Sequence, residues 1–286
     1  MHARTGTDDR ATTCAELTRP SSWGHSRGDS IAAGRIVASR LGGGAEYEVL
    51  VVEDERFGRA VAKVVRPHLV AAGAACALLA REAAALAAIS SPFVVRPLDV
   101  ELEVEPPHLL VEHVEGPTLR RVLRRRGQLR PDEVVCLGAT LALALAAVAD
   151  SGWLHLDVKP ENIVMASPAC LLDFSISQRI HGAMACDPLV GTPAYMAPEQ
   201  HAGAAGTLGP AADVYALAVT LTEALTGELP TGAGIRSQLL PPPFESLLGR
   251  ALAPHPDVRP SAAELADALL APLEAAGGHA ERRRVG

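Results

Sequence analysis

The stretch "HLDVKPENI", residues 155–163, with "LLDFS", residues 171–175, a few positions on, holds the reading that decides the fold. It contains Lys159, one of two lysines in a chain whose other 24 basic residues are arginine. The second lysine is Lys63, in "AVAKVV". An ammonium is a compact point charge with rotatable donors, and a guanidinium is a wide planar fork, so a site needing the first is not served by the second. Two lysines kept against an arginine background mark two sites where chemistry sets the choice.

Around Lys159 the residue types fit one kind of chemistry. Asp157, Asn162 and Asp173 come from two short segments, and Asn and Asp oxygens are hard ligands of the kind Mg²⁺ prefers. An Asp to receive a hydroxyl proton, a Lys two residues later beside a moving phosphoryl group, and an Asn with an Asp on magnesium together describe phosphoryl transfer.

Composition agrees with a catalytic globular protein. The 286 residues are enough for one large domain or two lobes, and 48% are hydrophobic, mostly Ala, Leu and Val. The formal charge of −7 argues against a nucleic-acid binder. Five cysteines, odd in number and never spaced C-x-x-C, indicate neither a disulfide framework nor a zinc site, which makes the cytoplasm the expected setting. The apolar run from Val134 to Val148 is shorter than a membrane span and contains Gly138 and Thr140, so a buried helix is expected and no membrane association.

Residues 1–33, rich in Ser, Thr, Arg and Asp, read as a flexible extension. From Gly34 short β-branched runs follow, "GRIVASRL", "YEVLVVED" and "RAVAKVV", suited to an antiparallel sheet. The Ala-rich "AACALLAREAAALAAI" is helical by spacing and ends at Ser91-Pro92. Two further strand candidates, "FVVRPLDVEL" and "HLLVEHV", lead to Gly116, after which helices dominate. The plan is α+β and two-lobed, divided near residues 114–118, and the tail 273–286 reads as disordered.

In "LGGGAEY" the glycines lie between two strands, which excludes the dinucleotide fold that needs a helix after them. They form either an ordinary turn or a hairpin closing over phosphates. Lys63 is either a solvent-facing strand residue or the partner of Glu82 on the following helix, and Glu82 is alternatively a solvated charge beside Arg81.

With these segments in this order, the chain resembles a protein kinase, specifically a eukaryotic-like bacterial serine/threonine kinase, over roughly residues 34–272. The resemblance implies a small β-rich N-lobe, 34–115, and a larger helical C-lobe, 116–272, with ATP and Mg²⁺ between them and a protein as substrate. On the nucleotide it implies Leu41, Gly42, Gly43, Gly44 and Val49 of the glycine loop, Ala62 and Lys63, Val111 as gatekeeper, and Glu112 to Val114 as hinge. Glu82 matches the helix partner of Lys63, Asp157 the catalytic base, and Lys159 the lysine of Ser/Thr kinases. Asn162 and Asp173 match the magnesium ligands, and Thr192 of "GTPAYMAPEQ" the substrate-pocket threonine. Asp213 matches the cap of the catalytic loop, and Arg259 the buried partner of Glu199.

Three positions depart from the family pattern. Tyr47 replaces the third glycine, Leu156 stands where an arginine reads a phosphorylated loop, and Ser175 follows Asp-Phe in place of glycine. Leu156 implies activity independent of activation-loop phosphorylation. Residues 228–243 are short where docking helices are usual, and Cys186, in the activation segment, is either redox-sensitive or an inert thiol. In "LRRVLRRRGQLR", Arg120, Arg121, Arg124 and Arg125 share one helical face, which is either solvated or a surface for an acidic partner. A homodimer stays open. The rival readings are a nucleotide-binding pseudokinase, motivated by Tyr47 and Ser175, and a small-molecule phosphotransferase, against which Lys159 and "GTPAYMAPE" argue.

Overall fold

The computed structural model describes residues 20–180, 191–201, 208–230 and 244–271. The expectations for residues 1–19, Cys186, the shortened region through 231–243 and the tail lie outside them. The chain forms two compact units, one of residues up to Ala87 with Arg96–His113, the other of Ala88–Val95 with Val114 onward.

The first unit is built on a six-stranded sheet: β1 (Ser30–Ala32), β2 (Arg35–Gly43), β3 (Tyr47–Asp54), β4 (Gly58–Val65), β5 (Pro97–Glu101) and β6 (His108–Glu112). Its order is β1-β2-β3-β4-β6-β5, and every pair is antiparallel. Alternation along β3 and β4 sends Leu50, Val52, Ala60, Ala62 and Val64 to one face, where they form a core with Ile31, Val37 and Leu110. Helix α1 (Ala74–Ala88) buries Ala75, Leu79, Glu82, Ala85 and Leu86.

Two sequence expectations change here. Residues 20–33 are part of the fold: β1 pairs with β2, and Trp23 packs on the core while its indole N–H donates to Val65 O at 2.7 Å. Of "FVVRPLDVEL" only Pro97–Glu101 is strand, because Val95 donates instead to Leu171 O in the second unit.

A buried polar knot ties β2 to its neighbours. Arg35 donates to Asp54 at 2.8 Å, to His108 Nε2 at 2.6 Å and to Asp99, and lies 2.9 Å from Glu101. A guanidinium only donates, so His108 Nε2 accepts and Nδ1 carries the proton given to Pro106 O. Burial, with the Arg35 charge beside it, holds His108 below the usual histidine range. Burial raises Asp54, but its bonds from Arg35 and from the Arg56 and Phe57 N–H groups prevail and lower it.

The second unit is helical. Helices α2 (Leu119–Arg126), α3 (Pro131–Asp150), α4 (Pro198–His201), α5 (Ala211–Thr226) and α6 (Phe244–Ala251) are followed by helical residues 262–271. Thr118 caps α2 by accepting from Arg121 N, and Gly227, at φ 78°, ends α5 in the left-handed turn glycine favours. Helix α3 is long and apolar enough to cross a membrane, yet it serves as a core helix, burying Val134, Leu137, Leu141, Leu145 and Val148. At Gly138 an added Cβ would stand 2.9 Å from both Leu221 and Leu269, so glycine sets how closely α5 and residues 262–271 approach α3. Short strands β7 (Trp153–Leu154), β8 (Ile163–Val164), β9 (Cys170–Leu171) and β10 (Gln178–Arg179) pair as β7-β10 and β8-β9 and hold the loops between them.

Candidate active site

In the first unit, sheet register decides which candidates share a face. Gly42 pairs with Val49, Val49 with Lys63, and Lys63 with Leu109, so these four form one row on one side of the sheet. The neighbouring row is Val51, Val61 and Val111. Lys63 Nζ donates to Glu82 Oε1 at 2.6 Å, and Glu82 is 2% exposed, which settles its role as the lysine's partner. Ala62 is a correction. It lies fully buried in the core on the opposite face, and Val61 shares the face of Lys63, because strand side chains alternate.

The glycine segment closes a tight hairpin. Gly44 N donates to Tyr47 O at 3.1 Å, and a Cβ on Gly43 would fall 2.4 Å from that oxygen, so only glycine fits there. Tyr47 is buried and donates its hydroxyl to Ala75 O at the start of α1, and Arg66 Nε donates to Gly44 O at 2.8 Å. Leu41 is exposed, Val111 is buried, and the Glu112 N–H is engaged by Arg96 O. Val114 belongs to the second unit.

In the second unit, Asp157 gathers three partners. Its Oδ2 accepts from Lys159 Nζ at 2.6 Å and from Asn162 Nδ2 at 2.9 Å, and its Oδ1 accepts from the Thr192 hydroxyl at 2.9 Å. Lys159 Nζ also donates to Thr192 Oγ1 at 2.7 Å. An ammonium cannot accept, so the Thr192 proton is directed at Asp157. The carboxylate therefore already takes a hydroxyl proton in a hydrogen bond, the posture a general base needs. Asn162 uses Nδ2 on Asp157, which leaves Oδ1 as its acceptor, and Leu172 N donates to Asn162 O at 2.8 Å, fixing the Asp173 segment to the Asn162 segment.

The loop is held from beneath. Asp213, at the start of α5, accepts from His155 N at 2.8 Å and from Leu156 N at 2.7 Å. Burial pushes its carboxyl above the usual range against the pull of His155 and those two N–H groups. His155 is buried and donates Nε2–H to Leu172 O, so Nδ1 accepts from Asp157 N at 3.2 Å. Leu156 has φ 67°, a conformation costing about 1–3 kcal/mol for a branched residue, and the Asp213 bond helps offset it.

A protein kinase domain model matches residues 36–270. The chain belongs to the protein kinase family. It is 34% identical over 227 residues to the serine/threonine-protein kinase PkaA of Streptomyces coelicolor, covering 72% of this chain and 41% of that one. To the probable serine/threonine-protein kinase PkwA of Thermomonospora curvata it is 30% identical, covering 80% of this chain and 33% of the other. The chain thus spans about two fifths of the first relative's length and a third of the second's. Among solved structures, a point mutant of the Mycobacterium tuberculosis PknI kinase domain matches at TM-score 0.65 and 29% identity, over 86% of this chain and 97% of that one.

Within this kinase domain the departures at Ser175 and Leu156 look different in space. The left-handed backbone falls on Asp173, at φ 63°, and not on Ser175, so the lost glycine leaves no strain at its own position. Leu156 is 5% exposed in an apolar cluster with Leu154, Ala197, Leu208 and Ala212, against which Ile176 and Ile180 pack. Arg259 makes the expected bidentate bond to Glu199, at 2.6 and 2.8 Å, and spends its remaining donors on the carbonyls of Ala211, Ala253 and Pro254.

The sequence left Arg120 either solvated or facing an acidic partner, and both readings are corrected, because its partners lie within the chain. It bonds Glu161, Glu223 and Tyr195, and Arg126 bonds Glu133, leaving Arg121, Arg124 and Arg125 exposed. The available signal was Glu223, an acid inside the apolar run of α5, which burial obliges to find a cation.

Proposed function

We propose that the chain is a serine/threonine protein kinase that transfers the γ-phosphoryl group of Mg²⁺-ATP to protein hydroxyls. The observation that carries this is the Lys159–Thr192–Asp157 triangle, an ionised base and an ammonium converging on one hydroxyl. The hairpin glycines, Val49, Val61 and Val111 would receive the nucleotide, with Lys63, fixed by Glu82, for its phosphates. Asn162 Oδ1 and the Asp173 carboxylate are hard oxygen donors on tethered segments, and the set fits Mg²⁺. When bound, the metal would neutralise charge on the phosphate oxygens. Asp157 would accept the proton of the attacking hydroxyl, and Lys159 would hold the phosphoryl oxygens as charge moves. Catalysis is then mainly positioning and charge neutralisation.

Regulation belongs to the same proposal. The apolar packing of Leu156 supports activity without a phosphorylated activation segment, as a buried leucine offers a phosphate no donor. From Ser175 to Tyr195 the hydroxyls are four: Ser175 directly follows Asp173-Phe174, Ser177 and Tyr195 are buried, Thr192 is engaged at the base, and residues 181–190 contain none. The exposed Arg121, Arg124 and Arg125 support an acidic partner. Free thiols at Cys76 and Cys136 accord with the cytoplasm.

Labelled Mg²⁺-ATP with a generic protein substrate tests the reading, run beside Asp157→Asn and Lys63→Met. Transfer by the parent and not by the variants is expected. Nucleotide binding without transfer to any of a broad substrate panel would favour the pseudokinase. Phosphatase treatment that abolished activity would remove the claim about regulation.

A further inference from the structure

We propose that Arg120 is a positioning residue for the acceptor side of the reaction, holding the Lys159 and Thr192 segments in register from outside the catalytic triangle; this rests on the kinase reading above.

Arg120 is the second residue of α2, and all three nitrogens of its guanidinium are engaged. Nε donates to Glu161 Oε1 at 2.7 Å, Nη1 to Glu223 Oε1 at 2.6 Å, and Nη2 to the Tyr195 hydroxyl at 2.5 Å and to Glu223 Oε2 at 3.3 Å. Tyr195 closes the ring by donating its own proton to Glu223 Oε2 at 2.6 Å. Burial and Glu223 raise the Tyr195 phenol well above its ordinary range, so it stays a donor across working pH.

The placement of these partners along the chain gives the network its role. Glu161 lies in the short 3-10 turn between Lys159 and Asn162. Tyr195 follows Thr192 by three residues, and its N–H donates to Thr192 O at 2.9 Å. Arg120 therefore grips the chain just beyond Lys159 with one arm and just beyond Thr192 with another. Glu223 is the fixed post, with its side chain 9% exposed near the end of the largely buried helix α5. The Lys159 to Thr192 bond joins the same two segments, and hydrogen bonds of this kind tolerate little displacement before they weaken. A planar fork with fixed donors can hold three acceptors in one geometry, which an ammonium on a flexible stem cannot.

An arginine that merely anchored α2 would lower stability and disturb every kinetic constant together. A positioning arginine separates them. In Arg120→Ala, nucleotide affinity, measured by titration with a non-hydrolysable Mg²⁺-ATP analogue, is expected to stay at the parent value. The kcat with a generic protein substrate is expected to fall by about a hundredfold, the scale of a misplacement near 1 Å. Added ethylguanidinium, which can enter the vacated site between Glu161 and Glu223, is expected to restore part of that loss. Arg120→Lys is expected to retain less activity than a simple charge requirement would give.

Tyr195→Phe keeps both carboxylate bonds of Arg120 and removes the arm toward Thr192 together with the Tyr195 bond to Glu223, so it serves if Arg120→Ala does not fold. A lowered kcat at unchanged nucleotide affinity is expected of it. Parent-like kcat in either folded variant would overturn the inference. So would a loss that ethylguanidinium does not touch and that nucleotide affinity follows in parallel. Absence of transfer by the parent itself would instead overturn the kinase reading on which the inference stands.

Discussion

The pairing of Arg259 with Glu199 predicts an asymmetry between two substitutions that remove the same ion pair. In Arg259→Met both carboxylate bonds go, and the carbonyls of Ala211, Ala253 and Pro254 lose their donors as well. The Arg259 side chain is fully buried and sits over the Tyr215 ring at 4.9 Å, so water does not replace what is lost. Breaking one side of a buried pair costs about 3–5 kcal/mol, and stranded carbonyls push this toward the upper end. In Glu199→Gln the guanidinium keeps its three carbonyls and one side-chain acceptor, and Glu199, at 18% exposed, is the wetter partner. That loss is about 1.5–3 kcal/mol, the range for a hydrogen bond to a charged group. The two variants should therefore differ by about 2 kcal/mol, the gap between those two ranges. Each unit holds one tryptophan, Trp23 and Trp153. Urea unfolding followed by Trp153 fluorescence, in a Trp23→Phe background, reports the second unit. Equal losses, or a greater loss in Glu199→Gln, would refute the reasoning, because the carbonyl bonds would then carry no weight.

Leu156→Arg should not install control by a loop phosphate. It should lower the urea midpoint by the equivalent of several kcal/mol, because the new charge enters an apolar cluster without a partner, and parent-like stability would contradict this. On the first unit, Val61→Phe should raise the KM for ATP with little change in stability, and Ala62→Leu should destabilise by about 1–3 kcal/mol through overpacking. Steady-state kinetics beside thermal melts separate the two, and the opposite pattern would place the wrong face toward nucleotide. His108 predicts a pH dependence. Its folded value is depressed, so below the unfolded value of about 6.5 the unfolded chain binds a proton that the folded chain refuses, and stability falls as pH drops through that window. The slope attributable to His108 is at most about 1.4 kcal/mol per pH unit, and it should vanish from the His108→Gln unfolding curves at about pH 5–7 while the parent keeps it. A parent-to-variant difference that did not change with pH would show that His108 is not held neutral.

Much of the catalytic set could be read from residue types in order, since Asp157, Lys159, Asn162 and Asp173 lie close in sequence and their chemistry constrains them jointly. The strands β3 and β4 were legible for the same local reason, their alternation. That alternation also held the correct answer for Ala62, since a residue next to Lys63 in a strand must face away from it. Glu82 was ambiguous by sequence because a lone acid on an Ala-rich helix has two possible neighbours, and only the fold brings Lys63 to 2.6 Å.

Residue types in order were enough to recognise the kinase family, the division into a sheet-rich and a helical part, and the leucine at 156 where the family pattern has an arginine. All three depend on residues that act within a few positions of one another or on the identity of a single side chain. Tertiary structure alone decided the roles of Arg120, Arg35 and Trp23. Arg120 meets partners 41, 75 and 103 residues away, Arg35 meets His108 across 73, and Trp23 meets Val65 across 42. Helical and strand periods report which face a residue occupies over a few turns, but charge pairing depends on which distant face is packed against it. That is why a run of arginines on one helical face contains one member bound to Glu161, Glu223 and Tyr195.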